Sequence, residues 1–183
     1  NRDTSCQKAE SLKNKSGGIK KRGCSSKMIR KAKITDARHI HELIKYYSDK
    51  DLMLYRSLND IYENIRDFLV FEGERKKILG VCALHIGWDG LGEIRSLAVR
   101  EGYIRKGIGS SLVKEIFKEA ADLGINTIFI LTYKPGFFKG FGFSKIDKKK
   151  LPHKVWTGCV NCPKFPDCNE IAMHYKLKGR FKG

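Results

Sequence analysis

The chain has 183 residues and a formal net charge of +17, and 41% of its residues are hydrophobic. That suits one domain with a full core. It excludes a membrane-spanning chain, because no apolar run approaches the ~20 residues a helix needs to cross a bilayer. No signal-like apolar segment follows the basic start, so a cytoplasmic protein is expected, and its oligomeric state stays open, a homodimer included.

Residues 1–27 are rich in Ser, Lys and Gly, nearly free of apolar side chains, and contribute +6 of the charge. Such a segment cannot bury enough surface to fold and is expected to be a disordered basic tail ahead of one domain spanning 28–183. The remaining +11 is scattered, apart from Lys148-Lys149-Lys150 and the C-terminal Lys176, Lys178, Arg180 and Lys182. No zinc-finger, RNP or helix-turn-helix pattern accompanies it, so nucleic acid is a weak expectation. A polyphosphorylated cofactor and an acidic substrate would use the same positive field.

From Met28 the elements alternate. Met28 to Ile34 reads as a strand. Thr35 and Asp36 start a helix with Ala37, Ile40, Leu43, Ile44 and Tyr47 on one face. Ser57-Leu58-Asn59-Asp60 resembles a capping box and opens a second helix with Leu58, Ile61 and Ile65 inward. Phe68 to Phe71 and Ile78 to Ile86 read as strands joined by a charged turn, and Glu93 to Val99 as the next strand. A long amphipathic helix carries Ile108, Leu112, Val113, Ile116, Phe117, Ala120 and Leu123, with Gly124 closing it. Asn126 to Thr132 is a nearly continuous apolar run, as expected of a strand covered on both faces. A short helix near Phe137 to Phe141, a strand from Phe143 and a last strand near Ile171 to Leu177 complete the order β-α-α-β-β-β-α-β-α-β-β.

The densest information lies between Glu93 and Leu112, where a strand runs into Arg105-Lys106-Gly107-Ile108-Gly109-Ser110 and then a helix. A helix N-terminus offers unpaired N–H groups and a partial positive charge, and glycines there let a phosphate reach the backbone. The spacing excludes a P-loop, since Gly109 is followed by Ser110-Ser111. It also excludes a dinucleotide fingerprint, which needs a glycine where Leu112 stands.

What remains resembles the acyl-CoA pyrophosphate loop of the GNAT superfamily of N-acetyltransferases, Arg/Gln-x-x-Gly-x-Gly/Ala, with Ile104 at the first position and Arg105 one place later. The element order is similar to that family over about residues 28 to 178. The resemblance implies an α/β, GNAT-type acyl-CoA N-acyltransferase fold: a mixed central sheet of six to seven strands, flanked by about four helices and splayed between the fourth and fifth strands. It implies acetyl-CoA as co-substrate, held along Leu97, Ala98 and Val99 and over Arg105, Lys106, Gly107, Ile108, Gly109 and Ser110. The broken alternation at Leu97-Ala98-Val99 is compatible with that family's bulge.

Further segments resemble the acetyltransferase domain of N-acetylglutamate synthase: Ile128-Phe129-Ile130-Leu131-Thr132, Phe137-Phe138, Gly142-Phe143, Leu151-Pro152, and Arg56-Ser57 upstream. Many GNAT enzymes carry a tyrosine general acid where this chain has Phe138, as those synthases do. The resemblance implies acetyl transfer to L-glutamate, the first step of arginine synthesis. Longer members carry an arginine-sensing amino-acid-kinase domain for which 183 residues leave no room. An ammonium must lose a proton before it attacks a thioester. Glu93 is the candidate base, Thr132 the residue holding the bridging water or amine, and the Leu97 N–H the oxyanion donor. Arg56, Arg95 and Lys164 are the candidate cations for the substrate's carboxylates. As ordinary structure, Glu93 would be a strand-edge carboxylate paired with a lysine, Thr132 a β-branched strand residue, and Arg56 a solvent-exposed helix start.

Of six cysteines, Cys82 reads as a buried small hydrophobe and Cys6 and Cys24 lie in the tail. Cys159-x2-Cys162-x5-Cys168 has spacing suited to a structural zinc, with His153 or His174 completing the set. Free thiols or a redox-labile pair are the other readings. Three alternatives for the whole chain stay open: a GNAT enzyme for another amino acid, polyamine or protein amine; a non-catalytic acyl-CoA sensor; and a nucleic-acid-binding module.

Overall fold

Strands with alternating apolar residues can bury two faces only if helices cover both, and the short loops of this chain deliver them. The computed structural model describes residues 28–151, 160, 164 and 167–177. The basic tail therefore lies outside the described residues. The elements are β1 (Met28–Lys31), α1 (Ala37–Ser48), α2 (Leu58–Glu63), β2 (Phe68–Glu72), β3 (Ile78–Trp88), β4 (Leu91–Val99), α3 (Ile108–Asp122), β5 (Thr127–Thr132), α4 (Pro135–Lys139), β6 (Ser144–Lys145) and β7 (Ile171–Lys176). Seven strands form one sheet in the order β1-β2-β3-β4-β5-β7-β6. The β4–β5 pair is parallel and its neighbours are antiparallel. The expected element order holds throughout.

Alternation along the strands builds two cores. Leu69 of β2, Cys82 and Leu84 of β3 and Ile94 of β4 meet Ile108, Leu112, Val113, Ile116 and Ala120 of α3 on one face. Phe68, Val70, Val81, Ala83 and Ala98 meet Ala37, Ile40, Leu43, Ile44 and Ile61 of α1 and α2 on the other. Leu123, expected on the buried face of α3, is 53% exposed. It caps the helix just before Gly124, whose φ of +76° ends the helical path. β1 stops at Lys31 rather than Ile34, because Ile34–Asp36 turn into a 3-10 helix.

That turn is pinned electrostatically. Asp36 accepts from Arg30 Nη1 at 2.6 Å and from the Lys33 N–H at 2.8 Å, and Arg30 also reaches Glu72. Burial alone would push the Asp36 carboxyl up, but the guanidinium and the N–H outweigh it and hold it below the ordinary 3.8. Its stabilisation is thus present above that value and is lost as pH falls through the native one.

The seat of α3 depends on a missing side chain. A Cβ at Gly80 would stand 2.8 Å from Ile108 Cγ2 and 3.2 Å from Leu112 Cδ1. The strand therefore admits the first turn of α3 closely only because no side chain intervenes. Two outcomes follow from these contacts. Gly80→Val should cost about 1–3 kcal/mol in urea unfolding through overpacking. Asp36→Asn should cost about 1–3 kcal/mol near neutral pH, and the difference from the parent should shrink as the medium is acidified below pH 4.

Candidate active site

Parallel pairing of β4 with β5 runs through Leu91–Thr127, Gly92–Ile128 and Glu93–Phe129 and stops there. Beyond Glu93 the two strands separate, so the β4 edge from Ile94 onward faces a gap instead of a partner strand. A cavity of about 690 Å³ fills the gap. Its walls are residues 93–99 of β4 and 130–133 at the end of β5, and its floor is the start of α3. Leu52, Met53, Leu54 and Arg56 of the α1–α2 connection complete its lining on another side.

Backbone geometry prepares both ends of the β4 wall. Two β4 residues, Ser96 and Leu97, oppose Cys82 alone, since Val81 pairs with Ala98 and Ala83 with Arg95. This is a bulge, one residue earlier than the alternation suggested, and Ser96 adopts φ +52° within it. A serine in the left-handed region is strained, and such strain is held where surrounding structure enforces it. The bulge takes the main chain at Ser96–Leu97 out of the regular ladder beside the gap, where the Leu97 N–H was expected to act.

At the floor, Gly107 has φ +80° as the residue preceding α3, a conformation that favours glycine. No side chain caps the helix start, so its first N–H groups stay available to an anion. Gly109 differs: a Cβ there would meet Phe137 and Val99 at ordinary distances of 3.6 and 3.7 Å. Its bareness thus serves the cleft rather than the fold. Arg105 lines the floor with φ +62°. Lys106 does not line it; its ammonium lies over the Tyr103 ring, 4.9 Å from the centroid. The turn before this floor is tied to α1, where the Tyr47 hydroxyl donates to the Val99 carbonyl and the Tyr46 hydroxyl to Glu101. A bare helix N-terminus, a flanking arginine and an elongated apolar gap fit an acyl-CoA substrate, diphosphate at the floor and pantetheine along β4.

The titratable groups cluster where the strands part. Glu93 is 9% exposed, and Arg95 donates to it from Nε at 2.6 Å and Nη2 at 2.5 Å. The carboxylate is therefore paired with a guanidinium, not with a lysine. Thr132 is buried, and its Oγ1 accepts from the Lys134 N–H at 2.9 Å. The hydroxyl proton remains available to donate into the cleft. Arg56 bonds Asp60 at 3.1 Å through a single nitrogen, leaving most of its donors unused by that contact. Lys164 does not line the cavity. Its ammonium lies 3.4 Å from Asp51 and 5.1 Å from the centroid of Tyr133, which does line it.

Of the cysteine cluster, Cys159 and Cys162 lie outside the described residues. Cys168 is described, with Sγ 3.8 Å from Glu170 Oε2. Among the described residues, no group of three or more His, Cys, Asp or Glu side chains is arranged to hold a metal. No helix among them is long and apolar enough to cross a membrane.

Sequence reasoning missed three residues. Glu170 is 8% exposed and lines the same cavity as Glu93. Its signal in the sequence is an acid directly ahead of the apolar run from Ile171. His85 lies directly opposite Glu93 across β3–β4 and bonds Asp67 at 2.8 Å. Tyr133 follows Thr132 on the cavity wall. Neither had a periodic or motif signal.

Comparison with known proteins agrees with this geometry. Residues 34–143 match the model of the acetyltransferase (GNAT) family. The chain is 41% identical over 145 residues to an uncharacterised N-acetyltransferase of Chlorobaculum tepidum, covering 79% of this chain and 93% of that one. It is 34% identical over 131 residues to the amino-acid acetyltransferase of Mycobacterium tuberculosis, covering 70% and 75% respectively. Among solved structures, a Mycobacterium tuberculosis protein in complex with CoA superposes with a TM-score of 0.73 at 28% identity, covering 82% of this chain and 99% of that one. N-acetylglutamate synthase from Neisseria gonorrhoeae, complexed with coenzyme A and N-acetyl-glutamate, gives 0.73 at 25% identity over 84% of this chain and 35% of its own. Matched in sequence across most of its described length and built around a splayed cleft with a bare helix end, the chain belongs to the acetyltransferase (GNAT) family and is an acetyl-CoA-dependent N-acetyltransferase.

Proposed function

We propose that the acetyl acceptor is the amino group of L-glutamate and that Glu93 is the base. The observation that carries the reading is the placement of Glu93. It is a buried carboxylate hydrogen-bonded by Arg95 at the point where the β4–β5 ladder ends, on the wall of the cleft. The likeness to amino-acid acetyltransferases and to a synthase holding N-acetyl-glutamate supports the choice of acceptor. So does Arg56, whose unused guanidinium donors on the acceptor side suit a carboxylate.

The chemistry then follows. The acceptor arrives as an ammonium ion, and Glu93 takes one proton directly or through a water held by Thr132. The freed nitrogen lone pair attacks the thioester carbonyl, and the developing oxyanion is met by the Leu97 N–H. The carbon–sulfur bond breaks, the nitrogen loses its second proton to solvent as the amide forms, and the thiolate leaves to be protonated by solvent, since Phe138 offers no hydroxyl. On this reading the protein is cytoplasmic and begins arginine synthesis.

Thiol release from acetyl-CoA, measured against a panel of amino acids, polyamines and peptide amines, should respond to L-glutamate alone; a response to any other amine in its place overturns the acceptor. Glu93→Gln should lower kcat by about 10²–10⁴ at pH 7 while leaving CoA affinity within a few-fold, because only proton transfer is removed. Arg56→Ala should raise KM for glutamate about 10- to 100-fold with a smaller change in kcat, the loss expected of a charge-assisted contact. An unchanged KM would place the carboxylate elsewhere.

A further inference from the structure

The acetyl-transfer steps leave one buried carboxyl without a role. Glu170 immediately precedes β7, and the β5–β7 register pairs Ile171 with Thr132 and Ala172 with Leu131. Ala172 packs with Phe129, the register partner of Glu93, so this sheet face runs continuously from Glu93 across to the start of β7. Glu170 reaches the cavity from that side, opposite the β4 wall. Its hydrogen-bond partner among the described residues is the Cys168 thiol at 3.8 Å, a weak donor. Burial pushes its carboxyl above the ordinary 4.5, and the charge of Glu93 pushes it further. Lys148, the Cys168 thiol and Lys164 act in the opposite direction without cancelling the rise. Two carboxylates lining one cleft repel each other, and a cation between them relieves that repulsion.

Elsewhere in the cleft Arg95 is paired with Glu93 and Arg56 with Asp60, so Glu170 is the carboxyl lining it that lacks a cationic hydrogen-bond partner among the described residues. We propose that Glu170 and Glu93 together seat the acceptor's ammonium group, so that Glu170 selects for an amine that arrives charged. The ammonium N–H groups donate to the two carboxylates, and no covalent bond changes in this step. Glu93 then removes one ammonium proton in the chemical step. This rests on the reading of Glu93 as base and of an amino acid as acceptor.

The test compares L-glutamate with glutarate, the same molecule without the amino group, by calorimetric titration of the full chain in the presence of CoA. The parent should bind glutamate more tightly than glutarate. Glu170→Gln should weaken glutamate about ten-fold or more and leave glutarate and CoA affinity unchanged. Glu170→Asp, which keeps the charge, should retain most of the preference for glutamate. Equal weakening of both ligands or no weakening of either overturns the proposal. If the parent binds neither ligand but acetylates another amine, the glutamate reading fails by itself. The same comparison with that amine and its deaminated analogue then decides for Glu170, selective loss supporting it and uniform loss overturning it.

Discussion

The ladder between β4 and β5 ends after three register pairs, and that early end organises the rest of the molecule. A parallel pair is held by evenly spaced bonds, and releasing it leaves main-chain donors and acceptors that must find other partners. Here the released edge becomes a binding surface. The strands still diverge from a common, buried root formed by Leu91, Glu93 and Phe129, so the gap is narrow at the base and open toward α3. A long, thin substrate of mixed polarity suits that shape better than a compact one.

Holding the gap open requires support from both layers. On one face α3 lies close over β3 because Gly80 has no side chain, and this sets the helix end beneath the gap. On the other, α1 reaches the end of β4 through the Tyr47 hydroxyl. The helix end supplies partial charge from oriented amides, which costs no reorganisation when an anion arrives. The acceptor end instead balances full charges, Arg95 against Glu93 and Arg56 against Asp60, with Glu170 as the member lacking a cationic hydrogen-bond partner among the described residues.

Periodicity made the fold legible, because each strand and helix buries a face and must repeat its apolar residues at the matching interval. The α1 face, the long α3 face and the continuous β5 run were all visible on that basis. The glycine-led start of α3 was legible for a different reason, since Gly107 answers a backbone requirement that other residues meet only under strain. The acceptor end was only half visible. Glu93 and Arg56 could be placed by resemblance, whereas Glu170 reaches the same cavity only through the β5–β7 register, far along the chain. The pairing of Arg95 with Glu93 shows the limit well: the two were singled out for different roles, and the structure joins them in one ion pair.

The two ends of the cleft are made of different material. The floor at the start of α3 is main chain, whose amides are the same whatever side chains surround them, while the charged wall is assembled from single side chains on the α1–α2 connection, β4 and the approach to β7. Substitution of Arg56 or Glu170 leaves that floor's main chain unchanged. A lineage carrying this architecture can therefore trade one amine for another through a handful of exchanges, at little risk to capture of the acyl donor.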